Sequence, residues 1–223
     1  MTLYRLDASI RVEGSHSRAL ADIVEQEWTA GHPDEAVIRR HVGIEPVPST
    51  AWPLAAQAQM APPEEERTPE QLEAAALAAH ETDQLLSADA ALFAVPLYNF
   101  GVSQHFKTWV DLVITDPRIA GEAPATAGIP AVLAVVRGGF YGAGSPREGW
   151  DYATGWMQRI LADVWKFDLE VVEEKFTLVG VNPALDEFKD MAVELRAKAE
   201  QTARERGRNL AAAKRPVPEV QSD

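Results

Sequence analysis

A chain of 223 residues with 46% hydrophobic side chains is long enough for one substantial core and short for two. Its 34 Asp and Glu against 21 Lys and Arg leave a formal charge of -13, which disfavours a partner dominated by a phosphate backbone, so no nucleic acid ligand is expected. Without cysteine there is no disulfide framework, thiol nucleophile or thiolate metal site; no metal is expected, and redox chemistry needs a borrowed cofactor.

No apolar run approaches the roughly 18 residues of a membrane helix, and a strand begins at once, leaving no room for a signal peptide. These features predict a cytoplasmic protein that does not associate with membranes. Thr2 to Asp7 reads as a short first strand running into small polar residues, followed by a loop with Ser9, Arg11, Gly14, Ser15, His16 and Ser17. A helix is predicted from about Arg18 to Thr29, with Leu20, Ile23, Val24 and Trp28 on one face and Ser17 as its cap. Free N–H groups at such a helix start, with hydroxyls and Arg11 nearby, can hold a phosphate; the alternative is that the serines only cap the helix.

Ala36 to Val42 has strand composition and suits a sheet edge, with His41 a surface residue. Gly43 to Arg67, carrying Pro46, Pro48, Pro53, Pro62 and Pro63, reads as a long irregular segment, of which Trp52, Leu54 and Met60 should pack over the site or on a second subunit. Thr68 caps the next helix, with Pro69 at its first position and Leu72, Leu77, Leu85 and Leu86 on its apolar side.

The run from Ala90 to Val95 is a buried strand stopped by Pro96. Then comes PLYNFG (Pro96 to Gly101), in which Asn99 and Gly101 tolerate unusual backbone angles and Tyr98 and Phe100 place aromatic faces at the strand's carboxyl end, where open α/β sheets bind ligands. An ordinary strand-to-helix turn with core aromatics is the alternative. Helical spacing resumes with Val102, Phe106, Trp109, Val110 and Val113, and a turn-rich connection spans Thr115 to Pro130. Ala131 to Val136 is a fourth strand followed by Arg137, Gly138, Gly139, Phe140 and Tyr141, whose glycines allow close approach of a planar ring. Asp151 to Trp165 reads as a helix with Trp156, Ile160, Leu161 and Val164 inward. Leu169 to Phe176 is a fifth strand, and Pro183 to about Ala213 a final helix. The order predicts a doubly wound, five-stranded parallel sheet with helices on both faces, as one domain over residues 1–213, with residues 214–223 a disordered tail.

Three segments in order, SIRVEGSHS (Ser9 to Ser17), PLYNFG with HFKTWVD, and VRGG (Val136 to Gly139), resemble the FMN-dependent azoreductase and NAD(P)H:quinone oxidoreductase family of the flavodoxin-like superfamily. The resemblance spans about Leu3 to Val181 and implies strand order 2-1-3-4-5, which gathers the loops after strands one, three and four. It implies bound FMN, its phosphate meeting Ser9, Arg11, Ser15, His16 and Ser17. The flavin ring would lie on Pro96, Leu97, Tyr98, Asn99 and Phe100, with Val136, Arg137, Gly138 and Gly139 at its edge. Phe140 and Tyr141 would line the substrate pocket. Flavin would take hydride from NADH or NADPH and pass it to a small aromatic acceptor, a quinone, azo or nitro compound, by ping-pong kinetics with no catalytic side chain. Ser103 stands where many relatives have proline, and the Thr115 to Pro130 connection looks shorter and less aromatic than theirs. The large apolar groups Trp52, Leu54, Met60, Trp150 and Trp156 in and beside loops predict a homodimer. Alternatives are a flavin reductase or a nitro or azoxy tailoring enzyme on the same fold, and a flavodoxin-type electron carrier.

Overall fold

The computed structural model describes residues 1–60 and 66–216. Its elements are β1 (Thr2–Asp7), α1 (His16–Gly31), β2 (Ala36–Arg40), α2 (Ala51–Met60), α3 (Pro69–Leu86), β3 (Ala90–Tyr98), β4 (Gly101–Val102), α4 (Gln104–Val113), β5 (Pro130–Val136), α5 (Thr154–Gln158), β6 (Asp168–Glu174) and α6 (Lys189–Ala212). The parallel strands run β2-β1-β3-β5-β6, which is the flavodoxin-like order 2-1-3-4-5 when they are counted alone; the two-residue β4 is an addition, antiparallel to the end of β3.

Alternation along the strands feeds two cores. Leu92 and Ala94 of β3 face α1 and α6 beside Leu20, Val24, Trp28 and Ala203, while Phe93 and Val95 point to the other face beside Phe106, Trp109, Leu161 and Trp165. Gly207 lets α6 lie against α1, since a Cβ there would stand 2.8 Å from the carbonyl oxygen of Val24.

Several expectations are corrected. Ser15, not Ser17, is the N-cap of α1, accepting from the Arg18 N–H, so the helix starts earlier than expected. Part of the segment expected to be irregular is α2; Pro53 sits in its first turn, where a missing N–H forfeits no helical bond. The buried face of α2 is Ala51, Ala55 and Ala58, and that of α3 is Ala74, Ala78, Glu81, Thr82 and Leu85, whereas Leu72 is exposed. Pro62 and Pro63 lie outside the described residues. Pro96 does not stop β3. Ala94 presents its carbonyl to the Ala8 N–H on the β1 side, so Pro96, two residues on, turns its missing N–H to that side beyond the end of β1 and keeps its pairing with Val136 on β5. The helix expected from Asp151 to Trp165 is a short α5 continued by a π-helical turn, Arg159–Val164, and α6 is preceded by a 3-10 turn, Pro183–Phe188. Beyond α6, Arg215 donates to the carbonyls of Leu86 and Ala88; the tail from Val217 lies outside the described residues.

Candidate functional site

At the carboxyl ends of β1, β3, β5 and β6 the strands open into a cleft of about 410 Å³. Its first wall grows from β1. Asp7 is fully buried, its carboxylate 3.1 Å from Arg5 Nε, 3.4 Å from Arg18 Nη1 and 3.2 Å from His41 Nδ1. His41 is therefore a partner of this cluster and not the isolated surface residue expected. Arg18, from the first turn of α1, also donates from Nε to the Arg11 carbonyl at 2.9 Å and from Nη2 to the Ser9 carbonyl at 3.2 Å. One planar guanidinium thus ties the backbone of the Ser9–Ser15 loop to a buried carboxylate, which a lysine point charge cannot do in three directions. Gly43 presses on the same loop from β2's side; a Cβ there would fall 2.1 Å from the Ser9 carbonyl oxygen.

The loop then enters α1. Ser15 Oγ lies 3.3 Å from Ser17 Oγ, both side chains are buried, and no acidic residue occupies the first turn. The Arg11 side chain makes no ion pair among the described residues. His16 is anchored by donation from Nδ1 to the buried Glu174 at the end of β6, 2.8 Å away. Uncapped N–H groups, two hydroxyls and a free guanidinium make this end a place for an anion.

The second wall is the β3–β4 hairpin. Leu97 pairs with Val102 and Tyr98 with Gly101, leaving Asn99 and Phe100 as the two central residues at φ 48° and 66°. Both are left-handed, as the tightest hairpin turn requires, and for Phe100 this is a strained placement that leaves its ring half-buried at the cleft; Gly101 does not use the freedom it has. The Tyr98 hydroxyl accepts from the Ile10 N–H at 3.2 Å and lies 3.4 Å from Ser9 Oγ, stitching the two loops together. Ser103 donates to the Ala8 carbonyl at 3.1 Å and so ties the α4 start to β1.

The third wall follows β5. Val136, Gly138 and Tyr141 line the cleft, whereas Arg137, Gly139 and Phe140 do not. Arg137 is turned behind the wall, its Nε 2.8 Å from Asp151 Oδ2 and its Nη2 paired with Glu173. The Gly139 carbonyl accepts from the Phe176 N–H at 3.4 Å, and Phe140 stacks on Phe176 with ring centres 5.9 Å apart. Burial alone raises the Asp151 pKa, but hydrogen bonds from the Thr154 N–H and hydroxyl and the Ala153 N–H, with Arg137 beside it, hold the carboxyl below its usual range. Asp151 thereby fixes the far end of the loop that carries Tyr141 and Trp150, which stand edge-on to Phe100 at 5.9 Å and 5.3 Å.

Of the other sequence-derived site residues, Ser9, Arg11, Ser15, His16, Ser17, Pro96, Leu97, Tyr98, Asn99 and Phe100 all line the cleft. Ile10, Gly14, Arg147, Thr177 and Leu178 line it as well. Thr177 and Leu178 follow β6, a loop the strand-order argument did not include; Thr177 N–H donates to the Arg137 carbonyl and Leu178 N–H to that of Gly138, both at 3.1 Å. That contact explains Gly138, where a Cβ would stand 2.6 Å from Leu178 Cδ1. None of the lining residues is Asp or Glu, although the chain carries 34 of them.

Residues 1–201 match the family described as the flavodoxin-like fold. The chain belongs to that family. Among its flavodoxin-like relatives, an FMN-dependent NADH:quinone oxidoreductase of Frankia alni is 38% identical over 207 residues, covering 92% of this chain and 97% of the relative. One of the same name from Streptomyces coelicolor is 32% identical over 213 residues, covering 94% of each. Among solved structures, azoreductase AzrA superposes with a TM-score of 0.76 at 20% identity, over 94% of this chain and all of that one. An FMN-dependent NADH-azoreductase from Bacillus anthracis in complex with FMN gives 0.70 at 16% identity, over 94% of this chain and 99% of that one. Among the described residues of this flavodoxin-like chain, no helix is long and apolar enough to cross a membrane, and no group of three or more His, Asp or Glu is placed to hold a metal ion.

Proposed function

We propose that this chain is an FMN-dependent NADH:quinone oxidoreductase that also reduces azo compounds. The observation that carries the reading is the cleft's polarity: hydroxyls, helix-start N–H groups and Arg11 at one end, apolar and aromatic surface at the other, and no carboxylate between. A flavin mononucleotide has that same division into phosphate and flat ring, and the names of the relatives agree with it. Arg11, Ser15, His16 and Ser17 would hold the phosphate, with Ser9 shaping the loop. Pro96, Leu97, Tyr98, Asn99, Phe100, Val136 and Gly138 would form the bed of the ring, and Arg137 and Gly139 would support it from behind.

When bound, FMN supplies two-electron chemistry, taking hydride from NADH and passing it to a quinone or azo compound. The chain supplies position and exclusion. Phe100, Tyr141 and Trp150 wall one opening for a flat reactant, and donor and acceptor sharing that opening would alternate, giving ping-pong kinetics. We place the activity on one domain ending near Ala213, in the cytoplasm, where reduced nicotinamide is at hand. We also propose a homodimer, supported by exposed Ile44, Trp52, Met60 and Trp150. Light scattering should return twice the chain mass, and a monomer at micromolar concentration would remove the dimer.

The test of the function is reconstitution. The purified protein should retain or take up FMN in equimolar amount, and parallel lines of reciprocal rate against reciprocal concentration should appear with NADH and a quinone. Recovery of FAD, or no flavin uptake, would remove the reading.

A further inference from the structure

The reading above leaves one charged group of the cleft without a task. Arg147 lies in the loop between β5 and α5, exposed, with its guanidinium carbon 5.6 Å from the centre of the Phe100 ring and 5.8 Å from that of Trp150. It makes no ion pair among the described residues. The carboxylates around this end are committed elsewhere: Glu148 accepts from the Gly144 N–H at 2.9 Å, Asp151 and Glu173 face Arg137, and Glu174 holds His16. Packing against two aromatic rings orients the cation at the mouth of the cleft, and no carboxylate in the lining pairs with it there.

We infer that Arg147 is a specificity-determining residue of the acceptor side, and that the cleft favours flat aromatic acceptors bearing an anionic ring substituent, a sulfonate or carboxylate. The inference rests on the redox function proposed above and deepens it. Guanidinium and sulfonate or carboxylate match as charge-assisted, two-pronged partners. The acceptor is the better source of the anion than the dinucleotide donor. A ring substituent stays within a few ångströms of the stacked plane, where Arg147 lies against the aromatic wall, whereas the donor's phosphates are set off from the nicotinamide by a ribose. The reaction balances without the substituent: NADH, one proton and the quinone give NAD+ and the hydroquinone, two electrons passing as hydride.

The test compares 1,2-naphthoquinone-4-sulfonate with 1,2-naphthoquinone on the FMN-loaded protein, as the ratio of their kcat/KM values. Differences in intrinsic reactivity cancel when that ratio is followed across variants. Arg147→Gln keeps length and polarity without charge and should lower the ratio roughly 5- to 30-fold, Arg147→Glu should lower it further, and Arg147→Lys should retain part of it. Calorimetric binding of redox-inert naphthalene-2-sulfonate should weaken in the same order, and for the parent protein should weaken as salt rises. A ratio and a binding constant that stay within about twofold in all three variants would overturn the inference. So would a rise in the KM for NADH with the ratio unchanged, which would assign Arg147 to the donor's phosphates. If neither quinone is reduced, the redox reading fails, and the naphthalene-2-sulfonate titration still decides whether Arg147 binds ring anions.

Discussion

At the β1 end of the cleft the loop is fixed from beneath by buried charge, whereas at the aromatic end the walls are pinned at their edges and face water. Buried Asp7, Arg5 and Arg18, joined by the half-buried His41, form a cluster under Ser9–Ser15, and Gly43 closes the space behind it. At the other end Phe100 is held by a tight hairpin, Tyr141 and Trp150 by a loop tied down at Gly149, Asp151 and Tyr152. The contrast matches a division of labour in which one end holds a resident phosphate in fixed geometry and the other admits reactants of varied outline.

The rigid end is broken most severely by Arg18→Ala, which leaves Asp7 short of a partner and two loop carbonyls without their donor. It should cost about 3 to 5 kcal/mol of flavin-free stability in urea unfolding, and Arg18→Lys should restore only part. Replacing Arg11 and Ser15 together with Ala removes the groups proposed for the phosphate; FMN affinity should fall roughly 30- to 1,000-fold, an effect of about 2 to 4 kcal/mol. Because Ser15 caps α1, the flavin-free protein should also lose about 1 kcal/mol, whereas Arg11→Ala alone should leave its melting unchanged. Equal FMN affinity in the double variant and its parent would separate the loop from the phosphate.

Smaller effects are expected at the aromatic end. Phe100→Gly relieves a left-handed φ while giving up two edge contacts, so stability should move by less than about 1 kcal/mol even as quinone KM rises several-fold. The smallest is a pH effect at Asp151. Its folded pKa lies below the ordinary 3.8, so its contribution is complete above that value and is lost as pH falls through the folded one. Amide protection at Ala153 and Thr154, corrected for intrinsic exchange, should drop in that acid range, and Asp151→Asn should abolish the dependence.

The central strands β3 and β5 were legible as unbroken apolar runs, β1, β2 and β6 as shorter segments mixing apolar and charged residues, and their order brought three of the cleft's loops together. What escaped detection has identifiable physical causes. Helix α2 buries alanines, which leave little periodic signal, and Pro53 in its first turn looks like a breaker, whereas α3 was legible from Thr68 and Pro69 and only its alanine-rich buried face was missed. Pro96 reads as a strand end unless it is known which neighbouring strand has already stopped. Arg137 and Phe140 stand in the motif next to residues that line the cleft, and only the pairing of β5 with β6 shows that they face the other way. Arg147 and Leu178 carry no local signal at all, since loops far apart in the chain bring them to the cleft.

The measurement that tests the central claim most directly is an anaerobic titration of the flavin-free protein with FMN followed by NADH, read by visible absorbance. The account predicts saturable uptake of FMN, bleaching of its absorbance on adding NADH, and recovery on adding a quinone. FMN that is not taken up, or that is bound and stays oxidised in excess NADH, would contradict it.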